Sequence, residues 1–217
     1  MTDPNAPRVF RLRARYIEQG RLALLSHLEV AHTLERTVRR AGLPFAVSQG
    51  FSPHMKIAFG AALPVGVGST CEIFDVQLTS YVPPDKALDA LQAASVPDLM
   101  VQECRYIEKA AAAASVAFPF STYEVRFDGP IGHVDVPETI TVVRKRKEKV
   151  LNVSEFLVQP FVLAGNAATF TLEAKPTGSL RPDVLLDHCD VDAKVLSITR
   201  VGQSETLEEV RCGSLDR

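Results

Sequence analysis

Ser26-His27-Leu28-Glu29-Val30-Ala31-His32-Thr33-Leu34-Glu35-Arg36-Thr37-Val38-Arg39-Arg40-Ala41-Gly42 is the stretch on which the fold of this 217-residue chain turns. Ser26 is a good N-cap, and Glu29 three residues later completes a capping box that satisfies the orphan N–H groups of a helix start. Leu28, Ala31, Leu34, Val38 and Ala41 recur at spacings of three and four, the signature of one apolar helix face. Gly42 and Pro44 end the helix, because glycine takes the left-handed cap and proline cannot continue the hydrogen-bond ladder.

Working outward, residues 9–16 alternate as a strand, which the sequence continues after the Glu18-Gln19-Gly20 turn with residues 22–25. Downstream, residues 45–48 and 55–59 read as extended and bracket the turn Gly50-Phe51-Ser52-Pro53-His54. A strand over 71–78, a helix over 85–94 opened by Pro83-Pro84, and a strand over 99–107 complete the first half. The order strand, helix, strand, strand, helix, strand is that of a ferredoxin-like βαββαβ domain, which we expect over residues 1–110. Five alanines, Ala110 to Ala114, mark the expected boundary. Residues 111–217 break into short β-rich runs with glycine, asparagine and charged turns, then a short helix near 182–189 and a strand at 194–201. The expected class is therefore α+β: a ferredoxin-like domain, then a smaller β-rich α+β domain or a divergent second ferredoxin-like unit.

Apolar residues make up 46% and charged residues 23% of the chain, an ordinary globular composition. No run of about 18 apolar residues is present, so no membrane span is expected. The polar, acidic N-terminus does not read as a secretory signal, which leaves the cytoplasm as the expected compartment. Cys71, Cys104, Cys189 and Cys212 stand 33, 85 and 23 positions apart, spacings that suit free thiols and form no zinc or iron–sulfur knuckle. No metal and no cofactor is expected on these grounds. The absence of a Cys-x3-Cys-x2-Cys triad, a His-Glu-x-x-His helix, a nucleophile elbow or a dinucleotide fingerprint leaves the question of enzyme activity open, leaning towards none.

The near-neutral total charge of −2 conceals an asymmetry. From Arg8 to Gly60 nine basic residues (Arg8, Arg11, Arg13, Arg15, Arg21, Arg36, Arg39, Arg40, Lys56) face three acidic ones (Glu18, Glu29, Glu35). If those side chains share a surface, they make a polyanion-binding wall.

The blocks Ser26-His27-Leu28-Glu29 and Gly50-Phe51-Ser52-Pro53-His54, with Leu63-Pro64-Val65-Gly66-Val67-Gly68 and, further on, Gly178-Ser179-Leu180-Arg181-Pro182-Asp183, resemble the radical-SAM-linked proteins. Members are often encoded beside, or fused to, a cobalamin-type radical SAM protein, frequently near a gene for a ribonuclease of the E/G class. Ser52 and Met55 stand where that family usually has Asn and Pro. The resemblance covers nearly the whole chain and implies a radical SAM protein as partner. It supplies a genomic setting and no reaction.

Three groups of residues carry candidate chemistry. Helix geometry lines up His32, Arg36 and Arg40 at intervals of four, with Arg39 beside them, and guanidinium groups favour planar bidentate partners such as phosphate. With Arg21 and Lys56 they form the candidate RNA-binding set; the alternative is a solvated helix face with ordinary ion pairs. His27, at the positive end of the helix dipole, and His54, after Pro53, are candidates for metal-independent RNA cleavage, one imidazole taking a 2′-OH proton. Their alternative role is to pin a turn through the backbone. Arg181, held extended by Pro182, is a further anion-binding candidate at a helix start. The run Arg144-Lys145-Arg146-Lys147-Glu148-Lys149 is either a second polyanion contact or a soluble hairpin tip. Phe51 and Phe59 can stack on bases or join the core. The function expected from all this is a non-catalytic RNA-binding or adaptor module working with a radical SAM partner. The alternatives are an RNA-cleaving enzyme using His27 and His54, and a purely protein-docking subunit.

Overall fold

A computed structural model describes residues 9–144 and 147–209, and of Arg144 and Lys147 the backbone alone. Arg8, Cys212 and the centre of the basic run, Lys145-Arg146, lie outside the described residues. The chain is mixed α+β and falls into two compact units, residues 9–65 with 71–117, and residues 66–70 with 118–209. Among the described residues no helix is long and apolar enough to cross a membrane.

The first unit opens with β1 (Phe10–Glu18) and a 3-10 turn over Gly20–Leu24, followed by helix α1 (His27–Arg40). The second half of the expected first strand is thus replaced by that turn: Gly20 takes φ +57°, and Leu22 N–H returns to Gln19 O. After α1 come β2 (Ile57–Phe59), β3 (Gly68–Leu78), α2 (Pro84–Ala94), β4 (Val101–Ile107) and the single turn α3 (Ala114–Ala117). The strands lie in the order β4-β1-β3-β2, with β1–β4 and β2–β3 antiparallel.

The core lies on one face of these strands. Leu12, Ala14 and Tyr16 of β1 and Phe74, Val76 and Leu78 of β3 meet Val30, Leu34 and Val38 of α1 and Ala87 and Leu91 of α2. This follows from period 2 in the strands and period 3.6 in the helices. Leu28, which the stripe places inside, is 68% exposed, and Val30 with Thr37 takes the buried positions. The helix simply presents a face rotated by part of a turn.

The opposite strand face carries charge. Asp75 is 3% exposed and accepts Nη2 of Arg11 at 2.7 Å, Nε of Arg13 at 2.7 Å and Nη2 of Arg13 at 3.0 Å. Both arginines also donate to the polyalanine segment, Arg11 to the carbonyls of Ala111 and Ala112 and Arg13 to that of Ala112. The polyalanine segment therefore seals a buried ion triad.

In the second unit Gly68 and Ser69, the first residues of β3, pair in parallel with β12 (Val195–Ser204). Strand β12 continues antiparallel to β5 (Phe120–Phe127), then β10 (Ala167–Glu173), then β9 (Leu157–Ala164). Gly165, at φ +65°, makes the tight β9–β10 hairpin. Two short ribbons complete the unit: β6 (Val134–Asp135) with β11 (Asp190–Val191), and β7 (Thr139–Arg144) with β8 (Lys147–Asn152). Helix α4 spans Pro182–His188. Phe127, Phe170, Val125, Ile140 and Leu185 are fully buried here.

Candidate functional site

Helix α1 is locally self-sufficient at its start. Ser26 N–H donates to Glu29 Oε2 at 2.8 Å, the Ser26 hydroxyl donates to the same oxygen at 2.7 Å, and Glu29 N–H returns to Ser26 Oγ at 3.4 Å. These bonds stabilise the carboxylate and hold the Glu29 pKa below its ordinary value. Arg39 and Arg40 lie in the last turn, where the negative end of the helix dipole favours cations.

The outward side of α1 carries the expected set. His32, Arg36, Arg39 and Arg40 are all exposed. Arg36 Nε donates to its own helix at His32 O, 3.2 Å away. Arg39 approaches Glu35 only to 3.9 Å, and its guanidinium lies 5.9 Å from the Phe45 ring centroid. Among the described residues Arg36 and Arg40 form no ion pair. Phe45 opens a narrow ribbon in which Val47 bridges Met55, and the turn at its tip holds Phe51 fully in solvent. Thus a guanidinium cluster and a free aromatic ring sit at the two ends of one short ribbon.

The other members of the set are placed elsewhere. Arg21 is exposed on the 3-10 turn before α1, whereas Arg36 lies about two and a half helical turns along, roughly 14 Å from the helix start. Ala58 of β2 pairs with Asp75, so Lys56, two residues earlier, shares the side of the buried triad and points away from α1. Three more arginines of the basic third are already used: Arg11 and Arg13 on Asp75, and Arg15 on Glu103 at 2.9 Å. Arg181 is the N-cap of α4 and is clamped by both oxygens of Asp183 in the next turn. It lines an open cavity of about 200 Å³ with Val142, Val143, Leu151, Ser179 and Val184.

His27 and His54 occupy different places. The His27 ring stands edge-on to Phe59, centroids 5.7 Å apart, in a narrow polar pocket that also includes Tyr16 and the buried carboxylates Glu18 and Glu72. His54 is exposed at the ribbon turn, where its backbone N–H donates to Ser48 Oγ and its carbonyl accepts Ser48 N–H. It does not line that pocket, and the chain between it and Phe59 is turned, with Ile57 N–H returning to Met55 O. Phe59 itself packs on Phe74, and so belongs with the core.

Cys71, Cys104 and Cys189 are free thiols. Burial, assisted by Glu103, pushes Cys104 up to about 12, and burial pushes Cys189 up to about 11, so neither carries thiolate chemistry at neutral pH.

Sequence reasoning missed one constellation. His133, Asp135 and Asp190 bring their ligating atoms within 4.8 Å of one another. The available signal was the i, i+2 spacing in His133-Val134-Asp135 and Asp190-Val191-Asp192, which puts polar ligands on one side of an extended chain.

The sequence profile of a family described as an uncharacterised protein conserved in bacteria, DUF2344, matches residues 11–182, and the chain belongs to this family. No curated protein matches it. Among solved structures it is similar to the crystal structure of an unknown protein from Galdieria sulphuraria, with 10% identity over 87% of this chain and 99% of that one. The TM-score of 0.28 leaves that likeness without weight for fold or function.

Proposed function

We propose that this protein is an RNA-binding adaptor module that uses the exposed side of α1. The observation that carries the reading is the unpaired guanidinium cluster of Arg36 and Arg40 with the weakly held Arg39. Three such cations within two turns repel one another, and phosphates are the partners whose geometry suits guanidinium groups. Phe51 supplies a stacking surface of the kind that holds unpaired bases. His32 extends the stripe, while Arg21 and Lys56 lie off it and add at most long-range attraction. We further infer a ferredoxin-like topology for the first unit, supported by the order β4-β1-β3-β2 and by two helices sharing one core.

We further propose, on the resemblance to radical-SAM-linked proteins alone, that its partner is a radical SAM protein, which would carry the chemistry. The exposed leucines Leu24 (66%) and Leu28 (68%), near the start of α1, favour a protein-docking role as a second reading. Cleavage by paired histidines is the least supported reading, because His27 and His54 do not converge.

The test is the salt dependence of binding to a labelled single-stranded RNA. Each phosphate contact contributes about 0.7 to the slope of log K against log salt. Replacing Arg36, Arg39 and Arg40 together with Ala is expected to lower the slope by about 2 while the chain stays folded. A wild-type slope near zero, or a triple variant indistinguishable from wild type, would remove the reading. Co-purification with the radical SAM partner in high salt, lost in Leu24→Ser/Leu28→Ser, would favour docking instead.

A further inference from the structure

We propose that the β6–β11 ribbon of the second unit is a binding site for a divalent transition-metal ion of the zinc or manganese kind. The ribbon pairs Asp190 directly with Asp135 and Val191 with Val134. Directly opposed residues of an antiparallel pair share a face, so His133 and Asp135 project with Asp190, and Asp192 falls opposite His133. A Cβ on Gly132 would stand 3.8 Å from Asp192 Oδ2, which puts that carboxylate at the same end of the ribbon.

Two features point to an ion. The ligating atoms of His133, Asp135 and Asp190 all lie within 4.8 Å of one another, yet no hydrogen bond or ion pair joins His133 to either carboxylate. They are close without touching. A metal bound at about 2.0 to 2.2 Å from each ligand would hold these atoms roughly 3 to 4 Å apart, a separation that small rotamer changes at exposed side chains can reach. In addition, two carboxylates directly opposed across a ribbon repel each other. No cation of the described residues forms an ion pair with any of the three aspartates, so an external one is the natural counterion.

The donor set selects the class. Imidazole nitrogen favours zinc and the later transition metals, carboxylate oxygen favours manganese and harder ions, and a mixed set suits the borderline ions between them. All three residues are exposed, so water fills the remaining coordination positions and leaves the ion open to an anionic ligand.

The experiment uses the full chain after chelator treatment, titrated with Zn2+ and separately with Mn2+ by calorimetry, with Mg2+ as the comparison. One saturable site per chain, at micromolar or tighter affinity for Zn2+ or Mn2+, is expected. His133→Gln and Asp190→Asn are each expected to weaken it at least tenfold and to abolish the metal-induced rise in Tm. Because Asp190→Asn removes a repulsion, its metal-free Tm should equal or exceed that of wild type. Absence of saturable binding below 100-fold excess metal would overturn the proposal. So would unchanged affinity in both variants, or equal binding of Mg2+, which needs only diffuse negative charge.

Discussion

Two groups of arginines only about thirty residues apart meet opposite fates. In β1, Arg13 is buried and Arg11 half-buried, and both share the carboxylate of Asp75 and donate further to the carbonyls of Ala111 and Ala112. In α1, Arg36, Arg39 and Arg40 stand in solvent, and only Arg39 has a carboxylate near it, Glu35 at 3.9 Å. A charge count cannot tell them apart. A strand buried on both faces forces every second side chain inward, and an arginine there must bring its counterion with it. A surface helix has no such demand, so its cations remain available for a partner.

The comparison breaks most readily at Asp75. Asp75→Ala leaves two nearly buried guanidinium groups without a carboxylate, a loss expected to cost about 3 to 5 kcal/mol in urea unfolding. Single alanine substitutions at Arg36 or Arg40 should stay within about 0.5 kcal/mol. A small effect at Asp75 would mean that the carbonyls of the polyalanine segment, or water, hold the pair of arginines on their own. The triad would then be no different in kind from the helix cluster.

What the sequence made legible was local. The capping box at Ser26 and Glu29, the stop at Gly42 and the hairpin at Gly165-Asn166 each depend on residues within a few positions of one another. What it hid depends on distant partners. Asp75 lies 62 to 64 positions from its arginines, and nothing near residues 11 and 13 says that their alternation puts charge inside. The side of β2 on which Lys56 falls is fixed by its pairing with β3, and so could not be seen from a basic-residue count. The His133–Asp190 convergence spans 57 positions and exists only through a ribbon of two-residue strands. Leu28 failed for a different reason: periodicity gives the spacing of a buried face but not its phase.

A smaller effect sharpens the contrast at the helix side. If α1 stands largely on its own local bonds, Ser26→Ala should cost about 1 kcal/mol, comparable with other N-cap losses. The pH dependence gives its signature. Glu29 has its pKa lowered from the ordinary 4.5, first by the Ser26 backbone N–H and then by the Ser26 hydroxyl. A lowered folded-state value contributes stability above the ordinary pKa and loses it as pH falls through the lowered one. Denaturant titrations between pH 6 and 3 should therefore show a shallower acid-side decline in Ser26→Ala than in wild type. Parallel curves would mean that the Ser26 hydroxyl contributes nothing through Glu29, leaving the backbone N–H alone to hold its carboxylate.

The smallest effect concerns Arg15, which belongs to the same strand as Arg11 and Arg13 but emerges on solvent. Its partner Glu103 sits 2.9 Å away, and both side chains are half exposed. The distance is close to the 2.7 Å of the pairs at Asp75, yet high dielectric and side-chain entropy reduce the gain. A double-mutant cycle with Arg15→Ala and Glu103→Ala should return a coupling of about 0.2 to 1 kcal/mol, shrinking further in high salt. That places Arg15 with the helix arginines, although its sequence neighbours lie with Asp75. A coupling above about 2 kcal/mol would show that the strand itself, and not burial, governs how tightly these arginines are held. The exposed guanidinium groups of α1 would then be set apart only by their lack of a facing carboxylate.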